Sequence, residues 1–203
     1  MDFLKHIVFI NLEKRKDRLA EITGELAKME LDASRFNAIA ETVGLVGCGK
    51  SHTAVLKMAR ENEWPYVLIL EDDFQFIVDK DNLKRQMELL TDYAASNTFD
   101  VCFLSYNMVK SDHIPGEKNF IKAVECQTAS GYIVMKHYYT KLIDLYEWAI
   151  PLLQSTGHHW IYANDQIWKQ YQKTDKWIAF STRLGIQRPS YSDNAMSFQD
   201  YKV

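Results

Sequence analysis

No apolar run in this 203-residue sequence approaches the roughly 20 residues that a membrane-spanning helix needs, so no span is expected, although peripheral contact with a membrane surface stays open. Cysteine is scarce. Cys48, Cys102 and Cys126 are odd in number, far apart and unlike a zinc-ligand pattern, which argues against a disulfide scaffold and for reduced thiols in a cytoplasmic setting. No Asn-x-Ser/Thr sequon occurs, in keeping with that location. Only 8 glycines and 4 prolines are present, which excludes collagen-like and low-complexity chains and leaves no segment with the composition of a linker. With a formal net charge of −3 the chain lacks the basic field that nucleic acid selects, so no nucleic-acid partner is expected; basicity is confined to Lys14, Arg15, Lys16 and Arg18.

What is present is an ordinary globular composition, 47% hydrophobic and 25% charged, long enough for one domain with a substantial core. The whole of 1–203 is read as that domain. His6 to Leu12 reads as a strand and Lys14 to Met29 as an amphipathic helix, with Leu19, Ile22, Leu26 and Met29 at helical spacing. A short strand is expected near Phe36 to Ile39. Gly44, Gly47 and Gly49 then mark a loop, followed by a helix from Ser51, as its cap, to Glu63. Tyr66 to Leu70 is a continuous apolar run of the sort buried on both faces. A helix around Asp81 to Ala95 and a strand at Val101 to Leu104 extend the alternation of an α/β fold, for which parallel pairing is the natural inference. Beyond it, Asp112 to Asn119 reads as a loop, Phe120 to Met135 as two strands, His137 to Trp148 as a helix broken by Pro151 to Gly157, Asn164 to Gln172 as another helix, and Trp177 to Phe180 as a last strand.

The densest chemistry lies at Glu71-Asp72-Asp73, directly after Val67-Leu68-Ile69-Leu70. Three acids at a strand end concentrate negative charge where open α/β sheets bind ligands, and carboxylate oxygens suit Mg2+ or Mn2+, which neutralises a diphosphate the acids would repel. A competing pattern precedes it in the chain: Gly44-x-x-x-x-Gly49-Lys50-Ser51 matches a phosphate-binding P-loop, which would make the protein a nucleotide phosphotransferase or hydrolase. Its lead-in, Ala38-Ile39-Ala40-Glu41-Thr42-Val43, is short and interrupted by polar residues, whereas a P-loop adjoins an apolar strand. A third possibility is an inactive sugar-binding module. His158-His159-Trp160 has no third ligand at a recognisable spacing and reads as an acceptor-site loop or packing.

Several separate segments together resemble glycosyltransferase family 25, the lipooligosaccharide and collagen-type galactosyl- and glucosyltransferases. They are Ile10-Asn11-Leu12 with Arg15 and Arg18, Gly47-Cys48 with Ser51-His52, and Leu68 through Asp73, in that order. Weaker similarity continues through Thr128 to Met135, Asp165, and Gln187 to Asp193; Lys50 departs from the usually apolar residue before Ser-His. The resemblance implies a GT-A fold, a single-domain Rossmann-type α/β sandwich with a mixed, mainly parallel sheet, its nucleotide-sugar half at about 1–105 and its acceptor half at about 106–203. It also implies inverting transfer of a hexose from UDP-galactose or UDP-glucose to a glycan or related hydroxyl, assisted by Mn2+ or Mg2+.

On that resemblance Asn11, Arg15, Arg18, Ser51, His52, Glu71 and Asp72 belong to the nucleotide-sugar site, and Asp73, Glu71 and Asp193 to the cation. Inversion needs a base for the acceptor hydroxyl. Asp165 is the candidate, with Asp193 as the other; a helix-capping role for Asp165 is the competing assignment.

Overall fold

The computed structural model describes residues 1–192 and 197–200. Strand β1 (Ile7–Asn11) is buried throughout and is followed by helix α1 (Lys16–Lys28) and strand β2 (Ser34–Asn37). Helix α2 (Gly44–Glu61), strands β3 (Tyr66–Glu71) and β4 (Phe74–Phe76), helix α3 (Lys80–Ser96) and strand β5 (Val101–Phe103) complete the first half. Then come β6 (Asn107–His113), β7 (Phe120–Gln127), β8 (Gly131–Met135), α4 (Tyr139–Thr156), three single-turn helices α5 (His159–Tyr162), α6 (Asn164–Ile167) and α7 (Lys169–Gln172), and the strands β9 (Trp177–Phe180), β10 (Gly185–Gln187), β11 (Ser190–Ser192) and β12 (Ser197–Gln199).

Eight strands form one sheet in the order β2-β1-β3-β8-β5-β9-β7-β6. β1 pairs parallel with β2 and β3, and β5 with β9, while β8 lies antiparallel between β3 and β5 and β7 antiparallel between β9 and β6. β1, β2, β3, β5, β6 and β9 therefore run one way, and β7 and β8 the other. The central strands are apolar on both faces because both are covered. Val8, Ile10, Val67, Ile69, Val101 and Phe103 join one core with α2 and α4, and Ile7, Phe9, Leu68, Leu70 and Cys102 join the other with α1 and α3. Helix α3 begins where Asp79 accepts a hydrogen bond from the Asn82 N–H at 2.8 Å, a carboxylate cap that also suits the helix dipole.

The glycine-rich stretch is not a loop. Residues 44–61 form one continuous helix, so the expected loop and the Ser51 cap are both corrected. Here glycine serves close packing: a Cβ at Gly47 would stand 2.4 Å from the Ile39 carbonyl oxygen, and one at Gly49 would stand 3.2 Å from Ile150 Cγ1. Ser51 lies mid-helix, donating to the Gly47 carbonyl at 2.7 Å and accepting from the Ile39 N–H at 2.9 Å. A P-loop needs its amides free to cradle phosphate; in residues 44–51 the backbone is helical, and Lys50 pairs with Glu41.

Three other expectations change. Helix α4 continues through Pro151 to Thr156, and Gly157 ends it at φ 69°; the carbonyl that Pro151 leaves without a helical donor belongs to exposed Glu147. Residues 107–113, polar and mostly exposed, form the edge strand β6 where a loop was expected from 112 onward. Asn164 to Gln172 holds two separate turns in place of one helix. Among the described residues no helix is long and apolar enough to cross a membrane.

Candidate active site

β1 and β3 end side by side, and the residues beyond their carboxyl ends line a cleft of about 1120 Å³. Asp72 and Asp73 form the two-residue turn between β3 and β4, both buried. From β1, buried Asn11 donates its Nδ2 to Asp72 Oδ2 at 2.8 Å and to the Arg15 carbonyl at 3.1 Å, tying the start of α1 to the acidic turn. Arg18, in the first turn of α1, places Nη1 3.0 Å from Asp72 Oδ1 and 3.0 Å from Asp73 Oδ2. Arg15 is held by Asp17, with Nη2 2.8 Å from Oδ2.

The antiparallel pair of β4 and β10 locks Asp73 from the other side. Arg188 donates its backbone N–H to the Asp73 carbonyl at 2.7 Å, and Gln187 donates Nε2 to Asp73 Oδ2 at 3.1 Å. Asp73 Oδ1 is buried with no hydrogen-bond partner. Burial, then the charge of Glu71 and that of Asp72, push the Asp73 carboxyl up to about 7 against the opposing pull of Arg18 and Gln187. Burial likewise raises Asp72, which Arg18 and Asn11 restrain. A buried oxygen without a partner, on a carboxylate crowded by like charge, fits a hard divalent cation.

Glu71 faces a different set of groups. Its Oε1 lies 3.0 Å from His52 Nε2 and 3.5 Å from Cys48 Sγ, while His52 Nδ1 lies 2.8 Å from the Tyr132 hydroxyl. Burial opposes ionisation of Glu71, but the hydrogen bond and charge of His52, with help from Cys48 and Arg18, hold its carboxyl below the usual value. The donor atoms of Cys48, His52 and Glu71 all lie within 4.8 Å of one another. This mixed sulfur, nitrogen and oxygen set does not suit Mn2+ or Mg2+, and burial together with the Glu71 charge pushes the Cys48 thiol well up, so the geometry is that of a hydrogen-bonded cluster with its thiol protonated.

Across the cleft stands Asp165, in α6. Its Oδ2 accepts the Thr128 N–H at 3.2 Å and its Oδ1 accepts Gln166 Nε2 at 3.3 Å. Thr128 sits at φ 83°, a strained position for a β-branched residue, and this strain aims its N–H at the carboxylate. Burial raises the Asp165 carboxyl despite these bonds. Trp160 also lines the cleft and is 60% exposed, so it is not a packing residue. Thus Arg15, Arg18, Ser51, His52, Glu71, Asp72, Asp73 and Asp165 all border one cleft, with Asn11 just behind it. Asp193, expected as base or cation ligand, lies outside the described residues.

The model of glycosyltransferase family 25 (LPS biosynthesis protein) matches residues 40–156, more than half of the chain. The chain belongs to glycosyltransferase family 25. That stretch carries α2, with Cys48, Ser51 and His52, and the acidic turn. No curated protein matches this chain. Two solved structures share the fold. One is a glycosyltransferase involved in the glycosylation of the major capsid of PBCV-1, 10% identical, with 90% of this chain and 92% of that one covered at a TM-score of 0.55. The other is A197 from STIV, 12% identical, with 87% and 82% covered at a TM-score of 0.50. The mixed α/β, GT-A-like fold expected from the sequence is therefore borne out.

The family motif brought Cys48 into view without a role, and its position beside Glu71 explains its place in the cluster. Thr128, Tyr132 and Arg188 fall within the segments of weaker family similarity, which gave them no role, because each acts through a contact with an element distant in the chain.

Proposed function

We propose that this family 25 chain is a single-domain inverting glycosyltransferase that moves a hexose from UDP-galactose or UDP-glucose to a hydroxyl of a glycan or related acceptor. The observation that carries this reading is the sharing of one cleft by two unlike carboxyl groups. Asp73 has a buried, unpartnered oxygen beside an arginine, while Asp165 stands apart, fixed by the backbone N–H of Thr128.

Asp73, with Glu71 and Asp193 as the further acids implied by the family resemblance, would hold Mn2+ or Mg2+, which when bound neutralises charge on the departing diphosphate. Asn11 fixes Asp72, and Arg15 and Arg18 would pair their guanidinium groups with phosphate oxygens. His52 holds Glu71, which would face the ribose, and Ser51 supports the loop that borders the cleft. The acceptor hydroxyl oxygen attacks the anomeric carbon as the bond to the diphosphate oxygen breaks. Asp165 takes the hydroxyl proton and UDP leaves with the bonding electrons. A carboxyl raised by burial is the stronger base for that step. The three free thiols favour a cytoplasmic setting.

Incubation with UDP-galactose and UDP-glucose in the presence of Mn2+, with release of UDP as the readout, tests the reading. Asp165→Asn is expected to lower release about 100-fold or more while leaving UDP affinity within about twofold. Undiminished turnover in Asp165→Asn contradicts the assignment of the base, and consumption of neither sugar nucleotide contradicts the donor.

A further inference from the structure

Arg18 bridges the two aspartates of the acidic turn. A single nitrogen, Nη1, stands 3.0 Å from a carboxylate oxygen of Asp72 and 3.0 Å from one of Asp73, and the side chain is only 14% exposed. Two adjacent buried carboxylates without counter-charge are costly, and one guanidinium reaches both and offsets part of that cost. Each aspartate also has an independent hydrogen-bond donor: Asn11 on Asp72 Oδ2 and Gln187 on Asp73 Oδ2.

We propose that Arg18 is an internal stand-in for the divalent cation: in the nucleotide-free protein it holds the Asp72–Asp73 pair, and it transfers to the diphosphate when nucleotide and cation arrive together. This rests on the nucleotide-diphosphate reading above. A free divalent cation approaching Asp73 Oδ1 meets the Arg18 charge on the other oxygen of the same carboxylate, and like charges a few ångströms apart in a poorly screened site repel strongly. A diphosphate removes the conflict, because its oxygens accept the guanidinium fork while also ligating the cation. Asn11 and Gln187 remain on the carboxylates when Arg18 leaves, so neither loses all of its donors. Cation and nucleotide therefore bind with positive coupling, and the coupling acts equally in both directions.

The test is Mn2+ titration monitored by electron paramagnetic resonance, with and without UDP, on the wild type and on Arg18→Met, which keeps much of the length without the charge. Wild type is expected to bind Mn2+ about tenfold or more tighter once UDP is present. Arg18→Met is expected to bind free Mn2+ about tenfold tighter than wild type and to gain less from UDP than wild type does, keeping only the gain from direct ligation of the cation by the diphosphate. Arg18→Lys, which keeps the charge without the fork, is expected to bind free Mn2+ as weakly as wild type, and thermal melting confirms that both variants fold. Free Mn2+ binding no tighter in Arg18→Met than in wild type or Arg18→Lys overturns the proposal. Failure of wild type to bind UDP at any Mn2+ concentration overturns the donor reading instead, and the free-Mn2+ comparison still decides the role of Arg18.

Discussion

Nε2 of His52 lies 3.0 Å from Oε1 of Glu71, and Nδ1 of the same ring lies 2.8 Å from the Tyr132 hydroxyl. The ring joins α2 to β8 and to the end of β3, three elements that converge at this site. His52→Ala leaves a buried phenol and a partly buried carboxylate without that partner, at a cost of about 1–3 kcal/mol. Thermal melting is expected to show the loss, together with a raised KM for the sugar nucleotide as Glu71 loses its orientation. Unchanged melting and KM would show that the ring does not position Glu71.

Asp73 makes stability depend on pH in a definite direction. Its carboxyl is pushed from 3.8 to about 7 in the folded protein, by burial first and then by Glu71 and Asp72. Between those values the folded state binds more protons than the unfolded state, so this group's contribution is fully present below about 3.8 and is lost as pH rises through about 7. Asp73→Asn is expected to flatten that part of the profile, so that its advantage over wild type grows as pH rises from about 4 to about 7. Denaturant unfolding of both proteins across this range checks the sign; a difference that shrinks with rising pH would contradict it.

Gly185 lets β10 pack against β4. A Cβ there would stand 2.1 Å from Phe74 Cζ and 2.9 Å from the Gln75 carbonyl oxygen, and Phe74 is fully buried. Gly185→Ala is therefore expected to cost about 1–3 kcal/mol, and to weaken Mn2+ binding because the same strand carries Gln187 and Arg188 to Asp73. Calorimetry and a Mn2+ titration read the two effects separately, and an unaffected melting temperature would contradict the packing argument.

Much of this architecture is legible in the chain. The apolar runs of β1, β3, β5 and β9 announce themselves because both faces of each strand are buried, and the acids come directly after β3 where the sheet ends. The helical glycines misled because Gly44, Gly47 and Gly49 have the composition of a loop, while the close packing of Gly47 on the Ile39 carbonyl and of Gly49 on Ile150 depends on contacts made only in the folded chain. Polar β6 gave no strand periodicity because, as an edge strand, it buries little. The bridge from Arg18 to both aspartates was equally hidden: both sets of residues stand out in the sequence, but their pairing arises only when α1 is laid beside the turn after β3.

Whether the acidic turn serves a nucleotide diphosphate through a cation is tested most directly by thermal shift with UDP, with and without Mn2+, on wild type, Asp73→Ala and Lys50→Ala. Ligand at about 100 times its dissociation constant adds about 2.7 kcal/mol, or roughly 5–10 °C for a chain of this size. The predicted result is a shift of that order in wild type and Lys50→Ala that requires both UDP and Mn2+ and disappears in Asp73→Ala. A shift that survives in Asp73→Ala but disappears in Lys50→Ala, or one that is independent of Mn2+, would contradict the account.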